Sequence, residues 1–449
     1  MPVFDSDMGE RVTATKERPK ALADGMIPLP AEPPHERAWL GMTAAFLGSM
    51  LFLLLIPAGW ARLDHLWAED GARFAVDALR FPALSNLVEP YGGYLHTLTR
   101  IVAELVALLP IEWTAAAFAV AAAVLRALIA LIAFAGSKAY LKSTPMRFAL
   151  ASLVIVLPVG NSETLNNLTN LHWFLLYGAF WALLWRDAPR VLVGLFVFLA
   201  AMTSPLVFIL APIALLRLFQ PRKEVPIVFL AGLVVQGAVM PFAARTAYSH
   251  DAIDPVQVLL ASLLRVPVAA LTGSERVDDF YPALGNGVIL AALLITAVPI
   301  VAGLRFGDRA GRTLAVVAVA YSVVLIVACL VLNWTALLQV QQPDVVMTGQ
   351  RYSIAPALFL FTAIFVGLDA TPAPAWGRAM VGASRYLIGI IVVVSVFWYL
   401  QEASPVVDGV PWDESVAKAR AECAAGAQEV RLEHEPEGWF FVLPCTSLD

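Results

Sequence analysis

Two adjacent carboxylates, Glu69 and Asp70, stand in the run WAEDGARF just after the first apolar stretch of the chain. A carboxylate at the mouth of a helical bundle can accept the proton of an attacking hydroxyl, which is the work of a general base. The pair equally suits the first turn of a helix, where acidic side chains meet the positive end of the dipole and Gly71 permits close approach. Downstream, EPYGGYLHTLTR carries Tyr94, and His96, Arg100 and Glu104 follow at intervals of four, so they share one helix face. An imidazole and a guanidinium there could hold a phosphate or sugar hydroxyls, or form an ion pair with Glu104. Asn166, Asn167, Asn170 and His172 crowd NNLTNLHW, where amides either cap a helix or contact a sugar. Arg351 and Tyr352 open an otherwise apolar helix in GQRYSIAP. The arginine there either snorkels to water or binds a lipid phosphate.

The elements that must position these residues are membrane spans. Hydrophobic residues make up 59% of the chain and charged residues 14%, and the mean hydropathy is +0.74, far from the composition of an ordinary soluble domain. Each helical span needs about 20 apolar residues, and no alternating pattern of barrel strands is present, so the fold class is an all-α polytopic membrane protein. There is no basic run with interleaved aromatics, so nothing points to nucleic acid.

Residues 1–37 are polar and basic without apolar periodicity and read as a disordered cytoplasmic tail. Residues 38–403 form the transmembrane domain, opening with a span from Trp39 to Pro57. Residues 62–112 read as a long first exterior loop holding two amphipathic helices. A pair of short helices is split at Thr203, Ser204 and Pro205, and the apolar stretch Val256 to Leu271 is expected to lie along or dip into the membrane. Counting onward gives about eleven spans of about 20 residues, with the N-terminus inside and the C-terminus outside. Five of the six lysines then fall on the cytoplasmic side, as do most arginines. Residues 404–449 read as a small exterior segment with a strand in PEGWFFVLPC.

Cys423 and Cys445 close a short loop in that exterior segment, which suits a disulfide, whereas Cys329 sits in an apolar run as a packing residue. No histidine spacing suggests a metal, and a divalent cation held by Asp or Glu stays open. Trp173, Trp181 and Trp185 read as packing and interface aromatics.

The order of these features resembles the GT-C superfamily of membrane glycosyltransferases. The runs WAEDGARF, PYGGYLH, NNLTNLHWFLL, GQRYSIAP and GWFFVLPC also resemble an uncharacterised family of actinobacterial polytopic membrane proteins grouped with such transferases, over nearly the whole chain. The resemblance implies a sugar donor carried on a polyprenyl phosphate, an exterior glycan, lipid or protein acceptor in the cell envelope, and an inverting single displacement at the plasma membrane. Carried onto this sequence, Asp70 is the general base with Glu69 as partner or substitute, and Arg351 and Arg100 bind the leaving phosphate. Tyr94, His96, Asn167, Asn170, His172 and Tyr352 complete the substrate-binding set. The exterior segment is smaller than in many relatives, so acceptor recognition falls to loops around Asn161, Tyr281 and Gln342. The rival class is a transporter or flippase of a lipid-linked glycan precursor, which would favour matching halves and interrupted helices with polar groups at the membrane midplane. Here the polar clusters lie near the span ends.

Overall fold

The computed structural model describes residues 19–30, 38–243, 253–333, 337, 347–401 and 409–448. Gln342, residues 1–18 and 31–37 of the expected tail, and residues 404–408 of the exterior segment lie outside the described residues. After a short helix at residues 19–26 (α1) come α2 (Ala38–Leu55), α3 (Thr97–Val106), α4 (Thr114–Gly136), α5 (Thr144–Val156) and α6 (His172–Leu184). Next are the bent pair α7 (Arg190–Ala201) and α8 (Pro205–Arg217), α9 (Glu224–Val239), α10 (Pro255–Thr272), α11 (Asn286–Phe306) and α12 (Arg309–Leu332). The chain then forms α13 (Ile354–Asp369), α14 (Ala375–Gln401), α15 (Trp412–Ala424) and the hairpin of β1 (Glu429–His434) and β2 (Trp439–Pro444).

This is an all-helical polytopic membrane protein with one small sheet. Among the described residues, 6 helices are long and apolar enough to cross a membrane, or 7 if the bent pair is one span; α2, α5 and α9 are apolar but shorter. The expected count of about eleven is therefore not reached on length and composition. The stretch Val256 to Leu271 lies within α10, a helix of spanning length and apolarity.

α6 and α13 form the centre. Every residue of HWFLLYGAFWALL is buried, and the window around α13 is 94% buried, which is why both are apolar on all sides. Close helix approach depends on glycine: a Cβ at Gly367 would lie 1.7 Å from the Pro299 carbonyl oxygen of α11, and one at Gly136 2.6 Å from that of Trp181. Such spacing admits no side chain.

The two ends of the bundle differ. At the basic end, residues 19–30 form a docked helix and turn, against the expectation of a disordered tail. Ala23 and Ile27 are buried. Arg186 donates to Ile27 O at 3.1 Å and pairs with Asp24 at 3.1 Å, while Gln220 and Tyr140 bond to Ile27 O and Met26 O.

The opposite end carries residues 62–112 and is called the loop end. There the break between α7 and α8, bent by 119°, caps α3: Thr97 N–H donates to Met202 O at 3.1 Å and Leu98 N–H to Thr203 Oγ1 at 3.0 Å. These bonds occupy two amides that the first turn of a helix leaves without partners.

The strand expected in PEGWFFVLPC is β2, paired antiparallel with β1 from Glu429↔Pro444 to His434↔Trp439. Cys423 and Cys445 are bonded with Cα atoms 5.7 Å apart, tying the end of α15 to the end of β2. This cap rests on the first loop, where Trp412 donates from its amide to Asp64 O and from Nε1 to Ile111 O, both at 2.7 Å.

Candidate functional site

A π-helical turn, Asp70–Ala75, starts at the second of the two acidic residues, with Glu69 at its N-cap. A wider turn rotates successive side chains differently from an α-helix and is common at functional positions. Asp70 points inward and is 1% exposed. Its Oδ2 accepts the Leu168 N–H at 2.8 Å, and its Oδ1 accepts the Thr169 N–H at 2.8 Å and the Thr169 hydroxyl at 2.5 Å. The carboxylate thus caps the short turn Thr169–Leu171 that leads into α6. Burial pushes its carboxyl up to about 6, with the nearby Glu69 charge adding and the three hydrogen bonds opposing.

Glu69 faces the other way and is half-buried. Among the described residues its carboxylate makes no hydrogen bond or ion pair, yet it lies within electrostatic reach of Tyr94 and Arg351. Arg351 Nη1 donates to Glu163 Oε2 at 2.8 Å, and the Arg351 side chain is 35% exposed. The other Glu163 oxygen accepts the Gln350 N–H at 2.8 Å, so one carboxylate fixes both the backbone and the guanidinium of this turn. Buried Arg265 supports the turn from behind, donating to Thr348 O at 2.7 Å and Leu337 O at 3.1 Å.

Rings join these charges. Tyr91 and His96 have centroids 5.8 Å apart, Tyr94 and His96 4.3 Å, Tyr94 and His172 6.4 Å, His172 and Trp173 4.7 Å, and Trp173 and Tyr352 5.2 Å. At one end Arg73 stands 5.5 Å over Tyr91, and at the other Arg351 stands 5.2 Å over Tyr352. The result is a wall of rings with a guanidinium at each end and Glu69 beside it. His96 is buried, its Nε2 lies 3.2 Å from Tyr91 O, and desolvation drives its pKa well below the ordinary value, so it is neutral. Beyond Arg73, whose partners are Asp77 and Glu89, an apolar groove of about 640 Å³ runs from Glu89 and Pro90 along Val234, Val235, Val239 and Phe242 of the α9 region.

Of the residues expected from sequence, Glu69, Tyr94, His96, His172, Arg351 and Tyr352 gather here. Arg100 does not, and its expected role in holding phosphate is corrected: it is 0% exposed and donates to Asp77 and Asn86 inside the first loop. Asn167 and Asn170 are buried too, with their Nδ2 groups on Glu163 O at 2.7 and 3.0 Å and Asn167 Oδ1 accepting the Asn170 N–H. They fix the Glu163 turn rather than meet a ligand.

No protein family and no curated protein matches the chain. Among solved structures, the archaeal oligosaccharyltransferase AglB from Archaeoglobus fulgidus, in complex with an inhibitory peptide and a dolichol-phosphate, is similar over 88% of this chain at 14% identity, with a TM-score of 0.40. The chain spans 59% of the length of that structure's chain. At this score the likeness transfers neither chemistry nor substrate.

Sequence reasoning missed Glu163, Arg73, Tyr91 and Arg265. Glu163 had a visible signal, since it is the single acid in NSETLNNLTNLHW. Arg265 had none, because its role depends on a turn far along the chain. Among the described residues, no group of three or more His, Cys, Asp or Glu is arranged to hold a metal ion.

Proposed function

We propose that the protein is a GT-C-type membrane glycosyltransferase that moves a sugar from a polyprenyl-phosphate donor to a hydroxyl of an envelope acceptor. The observation that carries this reading is the division of labour in the acidic pair: Asp70 is bound into the fold by three hydrogen bonds, while Glu69 is left half-exposed within electrostatic reach of Arg351. Glu69 is therefore the base, in place of Asp70. It takes the proton of the acceptor hydroxyl as that oxygen attacks the anomeric carbon. The bond from that carbon to the phosphate oxygen breaks with inversion, and polyprenyl phosphate leaves with the extra negative charge. Arg351, held by Glu163, stabilises that charge. Tyr94 and Tyr352, both part-exposed, offer ring faces to the sugar with buried His172 and Trp173 packed behind them, and the apolar groove beside Glu89 suits the polyprenyl chain. The loop end is assigned to the outside of the plasma membrane, with the basic end in the cytoplasm, from the placement of the lysines.

The bent pair α7 and α8 is the one observation that favours a transporter or flippase, since broken helices mark such proteins. Its tip is already engaged, however, with Met202 O and Thr203 Oγ1 capping α3, which leaves it poorly suited to grip a passing substrate. The test is release of polyprenyl phosphate by purified protein from a panel of polyprenyl-phosphate sugars with envelope-type acceptors. Wild type should release it and Glu69→Gln should not, at equal folding. Folded wild type that releases nothing from any donor would sink the transferase reading.

A further inference from the structure

The segment just ahead of the acidic pair is completed by the far end of the described chain. Glu435 N–H donates to Leu66 O at 3.0 Å and Ala68 N–H donates to Glu435 O, making a parallel bridge between Trp67 and Glu435. Residues 66–68 thus gain one backbone bridge, immediately before Glu69, to the residue that follows β1. The neighbouring His434 closes over the π-helical turn: a Cβ on Gly71 would lie 2.9 Å from its Nε2, so this position admits only glycine while the ring stays in place.

The Glu435 side chain anchors the arrangement. It is 0% exposed. Its Oε2 lies 3.8 Å from Arg62 Nη1, and its Oε1 lies 3.9 Å from His65 Nε2 and accepts the Gly409 N–H at 3.3 Å. Arg62 is itself 2% exposed and stacks 4.4 Å over Trp67. Two opposite charges buried together tolerate the loss of both far better than the loss of one, because a lone buried charge has nothing to offset its desolvation. The pair therefore fixes where the bridge forms as well as whether it forms.

We infer that Glu435 is a positioning residue for the acidic pair, and that residues 434–436 are a structural support of the candidate active site rather than part of a separate acceptor-binding cap. The inference rests on the reading of Glu69 as base only for its effect on turnover; its effect on the order of residues 66–73 stands apart from that reading. Glu435 does not touch substrate. It acts through the backbone of Leu66 and Ala68, on which the direction of Glu69 depends.

The test compares the full-length wild type, Glu435→Gln, and the double variant Arg62→Met/Glu435→Gln by amide hydrogen exchange and by turnover. Glu435→Gln should speed exchange across residues 66–73 while leaving α4 unchanged. It should also lower kcat by about 10²-fold, the size of effect a misplacement of about 1 Å can produce, with KM for the donor unchanged. The neutral double variant should recover slow exchange and most of kcat, which a group acting chemically could not do. Unchanged exchange at 66–73 in Glu435→Gln would overturn the inference, as would a lower unfolding temperature with kcat per folded molecule intact. If wild type itself shows no turnover, the transferase reading fails and the exchange arm still decides whether 434–436 orders the acidic segment.

Discussion

At the basic end of the bundle, Arg217 is 1% exposed and its guanidinium is committed to structure: Nε donates to Leu183 O at 3.0 Å, and Nη1 to Gln220 Oε1 at 3.1 Å and Pro221 O at 3.3 Å. At the loop end, Arg351 shares one carboxylate and keeps a third of its side chain exposed. Both are arginines at an end of the bundle, yet Arg217 is knotted into main chain while Arg351 keeps a free edge beside the Tyr352 ring. The same contrast recurs within the loop end, between Asp70 and Glu69. Polar groups saturated by backbone hold the fold; half-exposed charges held in place by such groups are the ones free to act on a substrate.

Four substitutions test that contrast, beginning with the largest effect. Glu69→Gln removes the proposed base and should reduce turnover by about 10³-fold, with the thermal unfolding temperature unchanged; a large drop in that temperature would mean that Glu69 is a structural group like its neighbour. Arg351→Met should slow turnover by about 10²-fold through loss of one charge-stabilising donor, read as the rate of polyprenyl phosphate release at saturating donor. Asp70→Asn should do the reverse of Glu69→Gln. An amide cannot accept at both ends, so the variant should lose about 2–3 kcal/mol of stability in denaturant titration, with turnover per folded molecule reduced less than in Glu69→Gln.

Asp70 also sets a pH dependence. Its carboxyl is raised above its ordinary value, so between about pH 4 and about pH 6 the folded chain holds a proton that the unfolded chain has released. Stability from this group is therefore fullest below about pH 4 and declines as pH rises to about 6, by about 3 kcal/mol in all. Asp70→Asn should remove that decline. At the other end, Arg217→Met leaves three oxygens short of a donor. It should cost about 1–3 kcal/mol and leave turnover untouched; a turnover defect there would break the comparison between the ends.

Much of this architecture was legible in the sequence because it follows from local pattern. The apolar runs of α11, α12 and α13 are long, and the polar triplet Thr203, Ser204, Pro205 marks the break between α7 and α8. The strand β2 is written in the continuous bulky run from Trp439 to Leu443. The span count was less legible, since α2, α5 and α9 are apolar but shorter than a membrane is thick, and only their neighbours say how they sit. The site was half visible. Periodicity put His96 and Arg100 on one face of a helix, but the helix starts at Thr97 with His96 at its cap position, and Arg100 turns inward onto Asp77 and Asn86. Glu69 and Asp70 are neighbours in sequence with the same chemistry. What separates them is a π-turn and two amides at Leu168 and Thr169, 98 and 99 residues away from Asp70. Residues 19–30 are ordered by partners on three other segments, at Tyr140, Arg186 and Gln220, a tertiary effect that their polar composition hides.

The bonds between the first loop and the cap also carry a consequence in time. Asp64 accepts the amide of Asp413, 349 residues later, and Leu66 and Ala68 wait for a partner further on still. At about 5–20 residues per second, the interval between their synthesis is roughly 20 to 70 seconds. During that interval the segment that will carry the acidic pair has already left the ribosome with an unpaired strand edge. A newly made chain thus spends part of its biogenesis with every span of its bundle available and its acidic pair still unanchored, and it matures only when the hairpin arrives.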